Sequence, residues 1–518
     1  MHAVVLLLVV LVGIGGRALY VDRPLDDRSL ALWHEADYTQ IARNFYRDGL
    51  NILYPQIDWR GDTPGYAEME FPLIPWLAAL LYRLVGYREV LIRVLCSLFS
   101  ILSLLVFVRL CRRALPPTGA VFAAAAFALN PLLIYLGSAM QPESAMLLLS
   151  LVAITLIWRW DETPTPALLL AAAAATGAAI LLKSTAAFLG LVLAYVVLRK
   201  RGVRAFTGPR VHAAAALALL PPLAWYLWAA RFWHIYGNSL GVSNESHFLS
   251  WAMLVPPRFL LGLLKWETLG VLTPAGWLLA FAAIRSRDSS VERALVWYGA
   301  LWLFYFVTAG TSADRWSFYY HGASVPPVCL LMGAGVVAFG RGRAIPAAGG
   351  WFARRQQQLG SLLAAATMVA LLGGTVVLIR RRDSNSYLRL MRSCALQFVQ
   401  YVPRTAAIVA NGGTMFDEYG RPVAHNEPML FAWMDRKGFS YGAQELSTGT
   451  LDGIARRGGR YWIVRRDELK RDDLQRQVDA LYERIASCHD TYYLYDLQPQ
   501  RAGAAEPRMS VTAFTDRS

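Results

Sequence analysis

The acidic residues that could act as a catalytic base lie in one stretch near the N-terminus. The stretch 33–76 reads WHEADYTQIARNFYRDGLNILYPQIDWRGDTPGYAEMEFPLIPW and includes Glu35, Asp37 and Glu70. A positioned carboxylate can accept the proton of an attacking hydroxyl group, so these residues have the chemistry of a general base. Carboxylates are also common in the first turn of a helix, and Glu70 could cap a helix that starts at Pro72. A structural role is therefore the alternative for all three.

The composition around this stretch is that of a membrane protein. The chain has 518 residues, of which 56% are hydrophobic and 17% charged, with 17 Trp and 24 Tyr. This is too apolar for a disordered chain or an ordinary soluble multidomain protein. The net charge of +15 is distributed mostly between apolar runs and forms no single basic patch, so we expect no nucleic-acid partner. The expected partner is a lipid bilayer.

Apolar runs of membrane-spanning length recur over the first 380 residues and predict about eleven transmembrane helices. The run 72–86 is shorter and contains Arg83, so it is expected to be interfacial or re-entrant. The first run has no basic region before it and no A-x-A site, which favours a retained helix over a secretory signal. The eleven runs lie near 2–20, 89–108, 118–136, 144–158, 166–182, 185–198, 211–230, 268–284, 294–310, 322–340 and 359–379.

The distribution of Arg and Lys predicts the orientation. Alternate loops are basic, and basic loops remain in the cytoplasm. We therefore expect a multi-pass protein of the bacterial inner membrane, with a cytoplasmic N-terminus and with everything after residue 380 outside. The basic loops lie around 109–113, 159, 199–210, 285–293 and 341–355.

The ionisable residues that border the predicted spans converge on the outer side. Because charged groups are costly in lipid, this placement indicates a site at the outer membrane surface. A chain of charges across the membrane midplane is missing from the sequence, which argues against a proton-coupled transporter. The residues are Glu35, Asp37, Glu70, Glu143, Lys183, Glu245, His247, Arg315 and His321.

The segment 381–518 has the pattern of a small α/β domain outside the membrane. AAIVANGG predicts a strand followed by a turn, LDGIARRGGRYWIVRRDEL a helix and a strand, and YYLYDL another strand. Cys394 and Cys488 lie in this domain, either as a disulfide or as two free thiols. The first 380 residues, with an outer loop over 21–88, form the predicted membrane domain.

The first outer loop and the last outer turn resemble known sequences. An acidic residue before Y-x-x-I-A-R-N, then E-F-P-L-x-P-W, and the turn WSFYYHGASVPPVCLLMGAG are similar to the C-type (GT-C) membrane glycosyltransferases. The nearest group is the dolichyl-phosphate-mannose protein mannosyltransferase-like family, glycosyltransferase family 39, with the bacterial aminoarabinose-lipid A transferases as relatives. The resemblance implies a polytopic α-helical GT-C fold and transfer of a monosaccharide from a polyprenyl-phosphate-linked donor.

The resemblance also implies roles for particular residues. Asp37 corresponds to the catalytic base, with Glu35 and Glu70 as further catalytic candidates. His34 stands where many relatives have an acid, and Phe71 stands where they have a Lys, so the donor phosphate needs another cation. The candidates are Lys183, Arg315 and His321 for the phosphate, and His34, Glu143 and His247 for the acceptor or sugar.

Inverting transfer needs one base and no covalent intermediate. The chain contains no Gly-rich phosphate loop, which fits a lipid-linked donor rather than a nucleotide sugar. A divalent ion, Mg²⁺ or Mn²⁺, on Asp37 and Glu70 is compatible with this chemistry, but no ligand spacing requires one.

Several alternatives remain open at this point. The acceptor is a lipid, a cell-surface glycan or the Ser/Thr hydroxyl of a protein. An oligosaccharide ligase or polymerase would use the same lipid carriers. A lipid-linked sugar flippase or transporter would need polar residues at mid-span or broken helices in two matching halves, and the sequence shows neither. A sensor protein would tolerate amide substitution of the loop carboxylates.

Overall fold

The computed structural model describes residues 2–26, 31–243, 257–285, 288–307, 315–344, 350–383, 386–416, 420, 427–470 and 473–499. Fifteen α-helices precede residue 384 in these ranges. They are α1 (His2–Ala18), α2 (Leu32–Asp48), α3 (Leu73–Val85), α4 (Val90–Ala114), α5 (Pro117–Leu129), α6 (Pro131–Ser138), α7 (Glu143–Glu162), α8 (Pro166–Leu182), α9 (Phe188–Arg201), α10 (Pro209–Tyr236), α11 (Arg258–Trp266), α12 (Pro274–Ile284), α13 (Ser289–Val307), α14 (Val325–Gly340) and α15 (Gly350–Asp383).

Five of these helices are long and apolar enough to cross a membrane: α4, α7, α10, α14 with the end of the segment before it, and α15. Two bent pairs raise this number to seven if each pair is one span. The fold is therefore a helical polytopic one, while the count of eleven spans stays a prediction. Shorter apolar helices are α1, α3 and α8.

The two bent pairs correct the expectation that no helix is broken. The axes of α5 and α6 meet at 53° at Asn130 and Pro131. α11 continues as a π-helix over Glu267–Leu272 and meets α12 at 88°. The Asn130 side chain accepts hydrogen bonds from the first amides of α6 and donates to the carbonyl of Gly270 at 3.0 Å. The two breaks therefore contact each other, and the amide side chain satisfies backbone groups that each break leaves open.

The first helix is part of the bundle. α1 packs against α4 and α5, and Arg17 near its end is fully buried. Its guanidinium donates to the Ser100 hydroxyl at 2.9 Å and to the carbonyl of Ala128 at 3.2 Å, just before the break between α5 and α6. A buried charge is tolerated only with such partners. The bonds of Arg17 therefore hold α1 against α4 and α5.

Small residues allow the helices to approach closely. A Cβ at Gly177 of α8 would lie 2.7 Å from the carbonyl oxygen of Leu217 in α10. A Cβ at Gly335 of α14 would lie 1.9 Å from the carbonyl oxygen of Leu279 in α12. Helices in lipid associate through such close packing, because no hydrophobic effect drives them together.

Basic loops that the sequence assigns to the same side meet at one end of the bundle. Arg199 and Arg293 contact the carboxylate of Asp161, at 2.7 and 2.8 Å. Arg113 and Arg293 both contact Glu162. The loops after α4, α7, α9 and α12 therefore lie together, as alternation across a membrane requires, although the side of the cell remains a prediction.

The C-terminal region forms a five-stranded sheet with helices. The elements are α16 (Ser386–Phe398), β1 (Ala407–Asn411), α17 (Met429–Met434), β2 (Gly438–Tyr441), α18 (Thr448–Arg456), β3 (Gly459–Arg465), α19 (Leu474–Leu481), β4 (Tyr482–Cys488) and β5 (Tyr492–Pro499). The sheet order is β2-β1-β3-β5-β4; β1 pairs in parallel with β2 and β3, and β5 pairs antiparallel with β3 and β4. The predicted strands at AIVAN, RYWIVR and YYLYDL are present as β1, β3 and β5.

Cys394 of α16 and Cys488 of β4 form a disulfide. This settles the choice between a disulfide and two thiols that the sequence left open. The bond joins the helix that follows the last apolar helix to the far edge of the sheet.

Candidate active site

Helix α2 carries the predicted catalytic carboxylates and is buried on almost every side. Residues from His34 to Phe45 are all buried, although many are polar. α2 packs against α3 on one side and against α17 of the C-terminal sheet domain on another. A polar helix can be buried in this way only if its side chains find partners on both neighbours.

Asp37 is 1% exposed and accepts a hydrogen bond from the indole nitrogen of Trp59 at 2.8 Å. Burial raises the pKa of Asp37 well above its usual value, and the negative charges of Asp58 and Glu70 act in the same direction. The Trp59 bond acts against them. A carboxylate with a raised pKa is a stronger base when it is ionised, which suits the removal of a proton from a hydroxyl group.

Lys183 lies at the centre of a second, adjacent cluster. It begins the short turn after α8 and is 1% exposed. Its ammonium group contacts the carboxylate of Glu143 and lies 3.5 Å from that of Glu70. It also lies over the rings of Tyr319 and Tyr320, 5.0 and 5.2 Å from their centroids. Two carboxylates and two aromatic faces therefore hold one buried cation.

Glu70 contacts Lys183, and its negative charge is also one of the influences that raise the pKa of Asp37. Burial alone would raise the pKa of Glu70, but the positive charge of Lys183 lowers it below its usual value. Glu70 is therefore ionised beside Lys183. The alternative role of Glu70, capping of α3, is not observed: α3 begins after Pro72 with no side-chain hydrogen bond at its cap.

His34 lies next to the same cluster, one helical turn from Asp37. Its ring contacts those of Tyr38 and Tyr319, with centroids 5.1 and 6.0 Å apart. Burial and then the charge of Lys183 lower the pKa of His34, so the imidazole is neutral. Among the residues that the structure describes, none is a hydrogen-bond partner of its buried Nδ1. This nitrogen could bind a ligand that enters the cluster.

Glu35 faces a different neighbour. Its carboxylate pairs with Arg93 of α4 at 2.9 Å, and both side chains are almost completely buried. Arg93 also donates to the carbonyls of Arg23 and Ser138. Glu35 therefore neutralises a cation that ties together three segments of the bundle, and this engagement distinguishes it from Asp37.

His321 is buried but pairs elsewhere. Its Nδ1 lies 2.6 Å from the carboxylate of Glu267, in the π-helical break. The hydroxyl of Tyr298 donates to the same carboxylate at 2.7 Å. The side chain of Arg315 and the whole of His247 and Glu245 lie outside the described residues. The structure thus brings together His34, Asp37, Glu70, Glu143 and Lys183.

A buried polar network fastens the outer face of α2 to the C-terminal sheet domain. Arg43 pairs with Asp58 at 2.6 Å and with Asp435 at 3.0 Å. Arg47 also binds Asp435, and Gln40 donates to the carbonyl of Pro428 at 2.8 Å. The network fixes the rotation of α2 about its axis and, with it, the direction of Asp37.

Residues that sequence reasoning missed complete the site. Trp59 lies 22 residues from Asp37, and the sequence marks Tyr319 and Tyr320 only as part of a family signature. Glu267, which pairs with His321 outside this cluster, has a sequence signal, because it is an acidic residue at the border of an apolar run. Among the described residues, no group of three or more His, Cys, Asp or Glu side chains is arranged to hold a metal ion.

Comparison with known proteins identifies the fold. Residues 63–228 match the family described as dolichyl-phosphate-mannose-protein mannosyltransferase. ArnT from Cupriavidus metallidurans, in the apo state, superimposes with a TM-score of 0.62 at 16% identity, over 98% of this chain and 99% of that one. The same protein bound to undecaprenyl phosphate gives a TM-score of 0.60 at 16% identity, over 97% and 99%.

An archaeal protein shares the fold at a greater distance. The oligosaccharyltransferase from Archaeoglobus fulgidus gives a TM-score of 0.52 at 11% identity, over 90% of this chain and 69% of that one. No curated protein matches the chain in sequence. The predicted resemblance is confirmed: the chain has the fold of the GT-C membrane glycosyltransferases related to ArnT, with the mannosyltransferase-family sequence pattern over residues 63–228.

Proposed function

We propose that this chain is an inverting glycosyltransferase that moves a monosaccharide from a polyprenyl-phosphate-linked donor to a hydroxyl group outside the cytoplasm. The observation that carries the proposal is a buried carboxylate at Asp37 and a buried cation at Lys183, both of which interact electrostatically with Glu70. The similarity to ArnT bound to undecaprenyl phosphate supports a lipid-phosphate donor.

Asp37 takes the proton of the acceptor hydroxyl while that oxygen attacks the anomeric carbon. The bond from this carbon to the phosphate oxygen breaks at the same time, and the leaving phosphate gains negative charge. Lys183 stabilises that charge, and a cation in a buried site does so more strongly than one in water. One displacement at the anomeric carbon inverts its configuration.

The charges of the cluster set a condition on donor binding. Glu70 and Glu143 already surround Lys183, so an incoming phosphate must share the cation with them. The neutral imidazole of His34 lies beside the same groups. We propose that the phosphate raises the pKa of His34, so that the imidazole takes up a proton and supplies the second positive charge. Glu143 then orients Lys183 rather than the sugar.

The experiment that tests the function is mass spectrometry of lipid-linked sugars and envelope glycans. Cells would carry no copy, the wild-type copy or the Asp37→Asn copy. We expect a polyprenyl-phosphate monosaccharide to accumulate in both defective strains and one glycan or protein to lose a single sugar. Loss of a multi-sugar unit would instead indicate a ligase or polymerase.

The broken helices give the transporter hypothesis one observation in its favour. The breaks at Asn130 and after Glu267 contact each other inside the bundle, as discontinuous helices do in secondary transporters. The same strains separate the two functions. If the protein is a transporter, the Asp37→Asn copy should restore the wild-type pattern of lipid-linked sugars, because movement of such a sugar needs no base at Asp37.

A further inference from the structure

A pocket of about 270 Å³ is lined by Trp59, whose indole nitrogen donates a hydrogen bond to Asp37. Three parts of the chain form it: the first outer loop around Trp59, the end of α10 around Trp233 and Tyr236, and strand β2 with helix α18 of the C-terminal sheet domain. It is distinct from the Lys183 cluster, and none of the predicted site residues lines it. Its volume is near the lower end of the range for small-molecule sites.

The lining combines aromatic faces with short polar side chains. Trp233 and Tyr441 supply rings, and Asn238, Ser440 and Thr450 supply polar groups. Two of these polar groups already donate hydrogen bonds within the protein, the Asn238 amide nitrogen to Thr63 and Tyr66 and the Thr450 hydroxyl to the carbonyl of Glu445. Ligand sites of this kind bind the apolar faces of a ligand against rings and fix its polar groups with a few hydrogen bonds. Sugars have both kinds of surface, since their ring C–H groups form flat faces and their hydroxyls point outward.

The charged groups of the pocket already have hydrogen-bond partners in the protein. Arg457 binds the carboxylate of Asp62 and lies over the ring of Phe439. Arg60 donates to the carbonyl of Thr63. Glu445 accepts from the backbone amide of Gly442 at 3.1 Å. An anionic ligand would have to compete for these cations, so the chemistry favours a neutral occupant.

The position of the pocket fits one half of the reaction. Trp59 connects the pocket to the proposed base: its side chain lines the pocket and its nitrogen donates to the carboxylate of Asp37 at 2.8 Å. The acceptor hydroxyl must reach Asp37 to lose its proton, so the rest of the acceptor must bind nearby. Substrate parts bound away from the reacting atoms can supply the binding energy that holds the hydroxyl in place.

We propose that this pocket binds a neutral saccharide unit of the acceptor, and that the C-terminal domain thereby selects a glycan or glycolipid acceptor over a peptide. The inference rests on the proposed function. Trp59 then has two roles, since its ring forms a wall of the saccharide pocket and its nitrogen orients the base.

The test uses the full-length protein in lipid nanodiscs with a labelled polyprenyl-phosphate sugar. The acceptor probe is the glycolipid fraction of the source cells, and the competitor is the water-soluble saccharide released from that fraction by mild acid. Trp233→Ala is expected to raise the KM for the glycolipid about fivefold or more, as the loss of a buried aromatic contact does. The KM for the donor should not change.

Ile235→Ala is the matched control. Ile235 lies two residues further along the same helix, is 67% exposed and does not line the pocket, so its substitution should leave both KM values unchanged. Ser440→Trp should fill the pocket from strand β2 and abolish competition by the free saccharide. The melting temperature of each variant, compared with that of the wild type, checks that the variants fold.

Three results would overturn the inference. The acceptor KM could be the same in Trp233→Ala as in the wild type, or it could change equally in Ile235→Ala. The labelled product could also be a protease-sensitive peptide, which would identify a protein acceptor. Absence of any transfer by the wild-type protein would instead refute the proposed function, and this inference with it.

Discussion

Substitution of Asp37 by Asn should separate catalysis from folding. The amide has nearly the same shape as the carboxylate and keeps an oxygen that can accept the 2.8 Å bond from Trp59. It cannot take a proton from a hydroxyl group. Burial raises the pKa of Asp37 in the folded protein, so the ionised carboxylate is more stable in the unfolded protein. The folded protein therefore loses stability as the pH rises through this raised pKa and Asp37 ionises. The variant should therefore melt at the same or a higher temperature at pH 8.

The size of the catalytic effect follows from the role of a general base. Such a group contributes about 10²- to 10⁴-fold in rate, which corresponds to about 3 to 5 kcal/mol of activation free energy. The KM for the donor should change little, because Lys183 and its partners remain in place. We expect kcat to fall by this factor in transfer from a labelled polyprenyl-phosphate sugar.

Glu35→Gln provides the contrasting variant on the same helix. It removes the negative partner of the buried Arg93, and breaking a buried ion pair costs about 3 to 5 kcal/mol of folding free energy. It should lower the melting temperature while the folded fraction still transfers sugar. Full activity of Asp37→Asn, together with an inactive but stable Glu35→Gln, would refute the assignment of the base.

Three further predictions follow from the same contacts. Lys183→Ala should raise the donor KM about tenfold or more, since a buried charge-assisted contact is lost, and Lys183→Arg should recover part of it; equal donor KM values in all three proteins would contradict a phosphate role. The acid limb of kcat/KM should lie at a pH well above the ordinary aspartate pKa of about 4, because transfer needs ionised Asp37; a profile flat down to pH 5 would argue against it. Conversion of Cys394 and Cys488 to Ser removes a disulfide that closes a loop of 94 residues. This change should lower the free energy of unfolding of the C-terminal domain by about 4 kcal/mol in chemical denaturation. An unchanged denaturation midpoint would show that the bond adds no stability.

The sequence by itself determined the class of structure and the location of the site. Apolar runs can be recognised locally because each must be long enough to cross the bilayer, and the β-strand patterns of the C-terminal domain are equally local. Charges at the borders of these runs marked Asp37, Glu70, Glu143 and Lys183 for one side of the membrane, because lipid excludes them from its interior. The number of spans was harder to predict, since the bends at Asn130 and after Glu267 depend on the contact between two distant helices.

Only the tertiary structure decided which of these side chains meet. Glu35 and Asp37 look equivalent in the sequence, but side chains two residues apart on a helix point in nearly opposite directions. One reaches Arg93 of a membrane helix and the other reaches Trp59 of the loop. The same holds for Lys183, whose partner Glu143 lies 40 residues away. Partners of a buried charge are set by helix packing, which brings together residues far apart in the chain, and no local pattern encodes that distance.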